Sequence, residues 1–302
     1  VRTVRLGTFS PSVLVEVATE TGALKAAGLA VQEIPATSSP AQFAALFDGE
    51  LDAVVTNPDN VVAYRCVPNN PLGRTDDVRI LAALDHGLGL ALFSEPTRPT
   101  VADLRGKSLG VDVATSGFAF VAFELLNRLG LTNYAVDAIG STPRRVDALL
   151  SGRCATTVLN AGNDLRAEAA GAHRLASVTS LGPYVGAALA ARSQTIQQDG
   201  DMLAELIRAL VQTSTDLVAG KHIDVALTAA QHRLSLDKHT AARYVHTLIG
   251  PLEGLIPDGW MSPEALGTAI ELRNRHSPGA APLNLKAVLR SGIIDDGLLP
   301  AS

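Results

Sequence analysis

The sequence predicts an α/β protein of two lobes followed by a helical tail. Three observations carry this reading. The chain alternates β-α-β-α-β from its start to Thr56. The same alternation returns between Ser108 and Leu159, after a break between Asp85 and Pro99. Beyond Arg192 the hydrophobic period is helical only.

Each element has its own local reason. Residues 4–8 alternate and are β-rich, so they predict a strand, which Phe9-Ser10-Pro11-Ser12 breaks. Residues 13–27 have helical spacing and stop at Gly28, a C-terminal signal. Residues 29–34 predict a second strand. Ser38-Ser39-Pro40 then opens a helix through residues 42–47, with a serine cap and a proline whose missing N–H costs nothing in the first turn. Residues 51–56 predict a third strand. The short connections imply a parallel sheet with right-handed crossovers. Pro68, Asn69, Asn70, Pro71 and Gly73 mark residues 65–78 as a long surface loop. Strands follow at 80–84, 88–93 and 108–113, with a short helix at 100–104. A helix at 118–129 follows Thr115-Ser116-Gly117 and ends at Gly130. Strands at 135–139, 155–159 and 186–191 alternate with helices at 143–150 and 165–170. The tail predicts helices at 201–219, 224–233, 238–249, 263–275 and 283–291. Residues 1–88 therefore form the first part of lobe one and residues 92–186 form lobe two. Residues 187–302 return to lobe one and supply the tail. Residues 88–93 and 183–186 join the lobes.

Composition excludes several functions. Hydrophobic residues make up 47% and charged residues 18%, which is enough for a real core and too apolar for a disordered chain. The net charge of −5 has no basic cluster, and aromatics are 4%, so a nucleic-acid partner is not expected. Two cysteines, Cys66 and Cys154, fall in different lobes and are expected to have no disulfide partner. No apolar run reaches the roughly 18 residues of a membrane span, and the start lacks a signal-peptide pattern. No tight histidine or cysteine set suggests a metal, and neither a Walker loop nor a GxGxxG fingerprint suggests a cofactor.

The candidate binding residues sit in turns after strands. Thr37-Ser38-Ser39-Pro40 and Thr115-Ser116-Gly117-Phe118 each present hydroxyls and free N–H groups at a helix N-terminus. Ser10, in the first turn, makes a third such place. In open α/β sheets ligands lie at the carboxyl ends of strands, where all three turns fall. Asn57 and Asn60 follow the third strand and offer amide donors, with Asp59 as a helix cap. Asn160 takes the matching position in the second block. Ordinary helix capping accounts for the same residue types. His86, in the strand connection, is either a structural side chain or a ligand contact or general base. No GxSxG elbow supports a serine nucleophile.

Several segments resemble the nitrate/sulfonate/taurine-type substrate-binding proteins of ABC transporters. Gly22-Ala23-Leu24-Lys25-Ala26-Ala27-Gly28-Leu29 is similar to the segment that follows their first helix. Ser39-Pro40-Ala41-Gln42-Phe43-Ala44-Ala45-Leu46 with Gly49-Glu50-Leu51-Asp52 resembles their next helix and its "G-E-L-D" end. Leu104-Arg105-Gly106-Lys107 with Leu109-Gly110-Val111 looks like their lead-in to lobe two. Residues 146–152 resemble a helix ending "A-L-x-x-G". The resemblance runs in order over residues 4–192. It implies the periplasmic-binding-protein type 2 fold, which also serves binders of a thiamine pyrimidine precursor. It further implies a small organic or anionic ligand between the lobes, an ABC permease as partner, and no cofactor. The location implied is periplasmic, or extracytoplasmic as a lipoprotein, with the signal lying outside this chain. Carried over, the ligand set is Ser10, Ser38, Ser39, Asn57, Asn60, Thr115, Ser116, Gly117, Phe118 and Asn160, to which His86 is added from its own position. The alternative is a cytoplasmic enzyme on the same fold, of lyase, desulfinase-like or pyrimidine-synthase-like type. The desulfinase relative needs a cysteine in the first turn, where this chain has Ser10.

Overall fold

The structure, a computed structural model, describes residues 1–277 and 281–300. The first half of the chain gives β1 (Arg2–Thr8), α1 (Val13–Glu20), α2 (Ala23–Ala26), β2 (Leu29–Pro35), α3 (Ser39–Phe47), β3 (Ala53–Thr56), α4 (Pro58–Cys66), β4 (Val78–Asp85) and β5 (Ala91–Ser94). Then come β6 (Ser108–Val111), α5 (Gly117–Arg128), β7 (Ala135–Ala138), α6 (Thr142–Leu150), β8 (Thr156–Leu159), α7 (Asn163–Ala169), β9 (His173–Ser177) and β10 (Ala187–Arg192). The tail holds α8 (Ser193–Val218), α9 (Ile223–Leu234), α10 (Lys238–Leu248), α11 (Pro263–His276) and α12 (Leu285–Arg290).

Two five-stranded sheets form, in the orders β2-β1-β3-β10-β4 and β7-β6-β8-β5-β9. β1 pairs in parallel with β2 and β3, and β6 with β7 and β8. One strand of each sheet runs antiparallel to its neighbours: β10 between β3 and β4, and β5 between β8 and β9. The chain therefore crosses between the sheets twice, once after β4 and once before β10. Each sheet is covered on both faces. Helices α1, α8, α9 and α10 bury one face of the first sheet, and α3, α4, α11 and α12 bury the other. Helix α5 covers one face of the second sheet, and α6 and α7 the other.

Differences from the sequence reading have local causes. The predicted helix 13–27 is two helices. Thr19 and Thr21 bond back to the Val15 and Val17 carbonyls, and Gly22 turns left-handed at φ +81°. Strand β9 was not anticipated. It is a half-exposed edge strand paired, among the described residues, with β5 alone, so its order comes from pairing more than from an alternating pattern. Helix α8 begins eight residues earlier than expected, at Ser193, and its polar first stretch breaks at Asp199 before the apolar-periodic part resumes. Both cysteines are free. Cys154 is buried under Gly110, and burial pushes its thiol up to about 11.

Helix α11 ties the lobes together. Its Ala265, Leu266 and Ile270 pack in the first-lobe core, while Leu272 packs in the second-lobe core. At its end, Arg275 and His276 meet Glu124 of α5 at 2.6 and 3.0 Å, and Arg128 meets the same carboxylate at 3.0 Å. Burial alone would raise the Glu124 carboxyl. Hydrogen bonds from Arg275, Arg128 and His276 outweigh that and bring it down to about 2.

Candidate functional site

A cavity of about 120 Å³ lies between the lobes, at the carboxyl ends of the parallel strands. Thr8, Phe9 and Ser10 enter it after β1, and Thr56, Asn57 and Asn60 after β3. From the second lobe come Asp112 after β6, Ser116 and Phe118 at the start of α5, and Asn160 after β8. Thr142 and Arg145 reach it from the first turn of α6. Tyr244 and Leu248 close it from α10, and Asp85 and Ala187 stand at the crossing strands. Apolar surface dominates the wall, with polar groups at a few points, as in most small-molecule sites.

Six of the residues expected from the sequence meet here: Ser10, Asn57, Asn60, Ser116, Phe118 and Asn160. Five do not line the cavity. Ser38 caps α3 through its hydroxyl, which accepts from Ala41 N–H. The Ser39 N–H donates to Asp112 Oδ2 at 3.0 Å across the lobes. The N-terminus of α3 therefore meets a carboxylate of the other lobe and is not open to a ligand. Thr115 is exposed, and its carbonyl accepts from Arg273. Gly117 packs against Asn57 and Asp59, where the lobes touch. His86 lies in the crossing segment and directs Nδ1 at the Tyr184 carbonyl, 3.2 Å away.

The roles within the cavity also differ from the expectation. Asn57 cannot offer a free donor. Its Nδ2 donates to Tyr184 Oη at 2.8 Å and to the Gly186 carbonyl at 3.2 Å, while its Oδ1 accepts from Asp59 N–H. Asn57 is thus the cap of α4, and Asp59 is free to pair with Arg273. Asn60 donates to Thr56 Oγ1, and Asn160 donates one N–H to the Gly87 carbonyl. Ser116 caps α5, and Ser10 Oγ accepts from Asn163 across the lobes.

Sequence reasoning missed the charged part of the site, Asp112, Arg145 and Asp85. A signal existed for each. Asp112 interrupts an apolar strand end, Val111-Asp112-Val113. Arg145 lies on the apolar face of α6 with Val146 and Leu149, and Asp85 ends an apolar strand. Arg145 is buried and spends four N–H bonds on protein acceptors: Gly140 O, Thr142 Oγ1 and, twice, Val158 O. Burial lowers its guanidinium to about 10, against the pull of Asp112.

Two buried carboxyls flank the first crossing. Asp85 accepts the Gly87 N–H at 2.8 Å, and Asp164 of α7 accepts the Gly162 N–H and packs against Gly89. Burial raises both to about 7. In the unfolded chain such groups ionise near 4. Between about pH 4 and pH 7 the folded state therefore holds more protons, and stability falls as pH rises, by up to ~1.4 kcal/mol per pH unit for each group. Asp164→Asn is expected to remove its share. Urea unfolding should show the variant gaining on the wild type from about pH 4 to about pH 7. A constant difference over that range would mean that Asp164 does not bind this proton.

No protein-family model matches the sequence, and no curated protein matches it. Solved structures do. A Candida albicans gene product described as having the generic periplasmic binding protein fold superposes with a TM-score of 0.74 at 14% identity, covering 100% of this chain and 99% of that one. The alkanesulfonate-binding protein SsuA from Xanthomonas axonopodis pv. citri, bound to MOPS, gives 0.75 at 14% identity, over 95% and 97% of the two chains. The periplasmic nitrate-binding protein NrtA from Synechocystis PCC 6803 gives 0.76 at 12% identity, over 99% and 87%.

Proposed function

We propose that this chain, which has the periplasmic-binding-protein fold, is a solute-binding protein that captures a small organic molecule between its lobes for an ABC importer. The observation that carries the reading is the cavity itself: residues of both lobes line it, and two crossings of the chain join them. Residues 1–88 with 187–302 would move against 92–186 about those crossings, so that donors of lobe two reach the ligand only on closure. Ser10, Asn60, Ser116, Phe118 and Asn160 are the contacts proposed from both sequence and placement. The sulfonate- and nitrate-binding neighbours support a transport role, a permease partner and a location outside the cytoplasm. Among the described residues no helix is long and apolar enough to cross a membrane. An enzyme built on Ser10 and His86 gains no support, because His86 faces the Tyr184 carbonyl and stands outside the cavity wall.

Mass spectrometry of molecules released on denaturing purified protein tests the reading. One small molecule at near-stoichiometric yield, rebinding unchanged in calorimetry, is the expected result. Conversion of that molecule by the protein would place the chain among the enzymes instead.

A further inference from the structure

The charged groups of the cavity select a ligand class. Asp112 lines the cavity and is 7% exposed. One of its oxygens accepts from Ser39 N–H, and the other, Oδ1, is buried with no hydrogen-bond partner among the described residues. A buried acceptor left unpaired is costly, so the free oxygen of a residue that lines the cavity favours a donor brought by the occupant. The cation beside it cannot serve an anion well. Arg145 directs four of its five N–H groups at protein acceptors. Asp85 adds a second carboxyl to the wall, and both its backbone partners, Gly87 and Ala187, donate to it. Phe9, Phe118 and Tyr244 supply aromatic surface, which attracts cations at ring faces.

From the unpartnered Asp112 oxygen, the spent Arg145 and the aromatic wall, we infer that the cavity takes a small organic cation, an ammonium or amidinium of roughly benzene size or less, and rejects sulfonates and nitrate. The size follows from the cavity of about 120 Å³, since an apolar cavity of about 150 Å³ holds benzene. The inference rests on the solute-binding reading and sharpens it. The cationic nitrogen donates to Asp112 Oδ1, and its alkyl or planar body packs against Phe118 and Phe9.

The test compares cations with anions on the full chain freed of any bound molecule by unfolding and refolding. Acetamidinium and trimethylammonium are the cationic probes; methanesulfonate and nitrate are the anionic ones. Calorimetry should show binding of at least one cation and tenfold or more weaker binding of both anions. Asp112→Asn keeps an amide oxygen for the Ser39 N–H, so it preserves the contact between the lobes. It should lose the cation by at least tenfold while staying folded by circular dichroism, with a lowered thermal midpoint because the buried Arg145 loses the Asp112 charge. If the variant keeps its cation affinity, Asp112 is not the recognition group and the inference fails. Asp112→Glu keeps the carboxylate and is the control: cation affinity that survives in it and is lost in Asp112→Asn supports the inference, and equal cation affinity in the wild type and both variants counts against it. Binding of an anion in preference overturns the cation inference and leaves the solute-binding reading standing. Binding of no probe overturns the inference, and release of no small molecule from purified protein overturns both.

Discussion

Arg273→Ala is expected to destabilise the protein by about 3–5 kcal/mol, the largest single effect foreseen for this chain. The Arg273 side chain is 5% exposed and its partner Asp59 2%. Two bonds join them, Nε to Oδ1 at 2.7 Å and Nη2 to Oδ2 at 2.8 Å. Removing the arginine leaves a buried carboxylate without its cation. It also removes a donor to the Thr115 carbonyl and the guanidinium that lies 5.0 Å from the Phe120 ring centroid, both in lobe two. Denaturant unfolding measures the loss. Arg273→Met combined with Asp59→Leu should recover most of it, because an apolar pair escapes the desolvation penalty. Equal losses in the single and double variants would show that packing at Arg273, and not the stranded charge, sets the cost.

Gly117→Val is expected to hold the lobes apart and weaken binding by at least tenfold. A Cβ at Gly117 would stand 2.3 Å from Asn57 Oδ1 and 2.8 Å from Asp59 Cβ. Neither neighbour can yield. Tyr184 and Gly186 fix the Asn57 amide, and Arg273 fixes Asp59. Gly117 is the first residue of α5, so the helix itself tolerates the change. The clash exists only where the lobes meet, and it therefore acts on closure more than on the fold of either lobe. Small-angle scattering should give a larger radius for the variant, and calorimetry with the molecule released from the wild type should give weaker binding. Unchanged scattering and affinity together would show that this contact does not govern closure.

The candidate site was legible in part. Ser10, Asn57, Asn60, Ser116, Phe118 and Asn160 were found because strand ends and helix starts are local features, and ligand clefts of open sheets gather there. Their actual bonds were not legible. Asn57 reads as a free amide until Tyr184, 127 residues on, accepts its hydrogen bond. Ser39 reads as an open helix terminus until Asp112, 73 residues on, occupies it.

The sequence by itself determined the order of elements and the caps. Ser38, Ser116 and Ser262 each accept the N–H three residues on, and this chemistry lies wholly within four consecutive residues. Hydrophobic periods likewise marked α5, α9 and α10 to within a residue or two of their ends. Only the tertiary structure decided which charges share the cavity, that α11 spans both lobes, and that β9 is a strand. The physical reason is that a buried charge, a straddling helix and an edge strand are each defined by partners far along the chain, as Arg273 is by Asp59, 214 residues away. Local propensity carries no record of such partners.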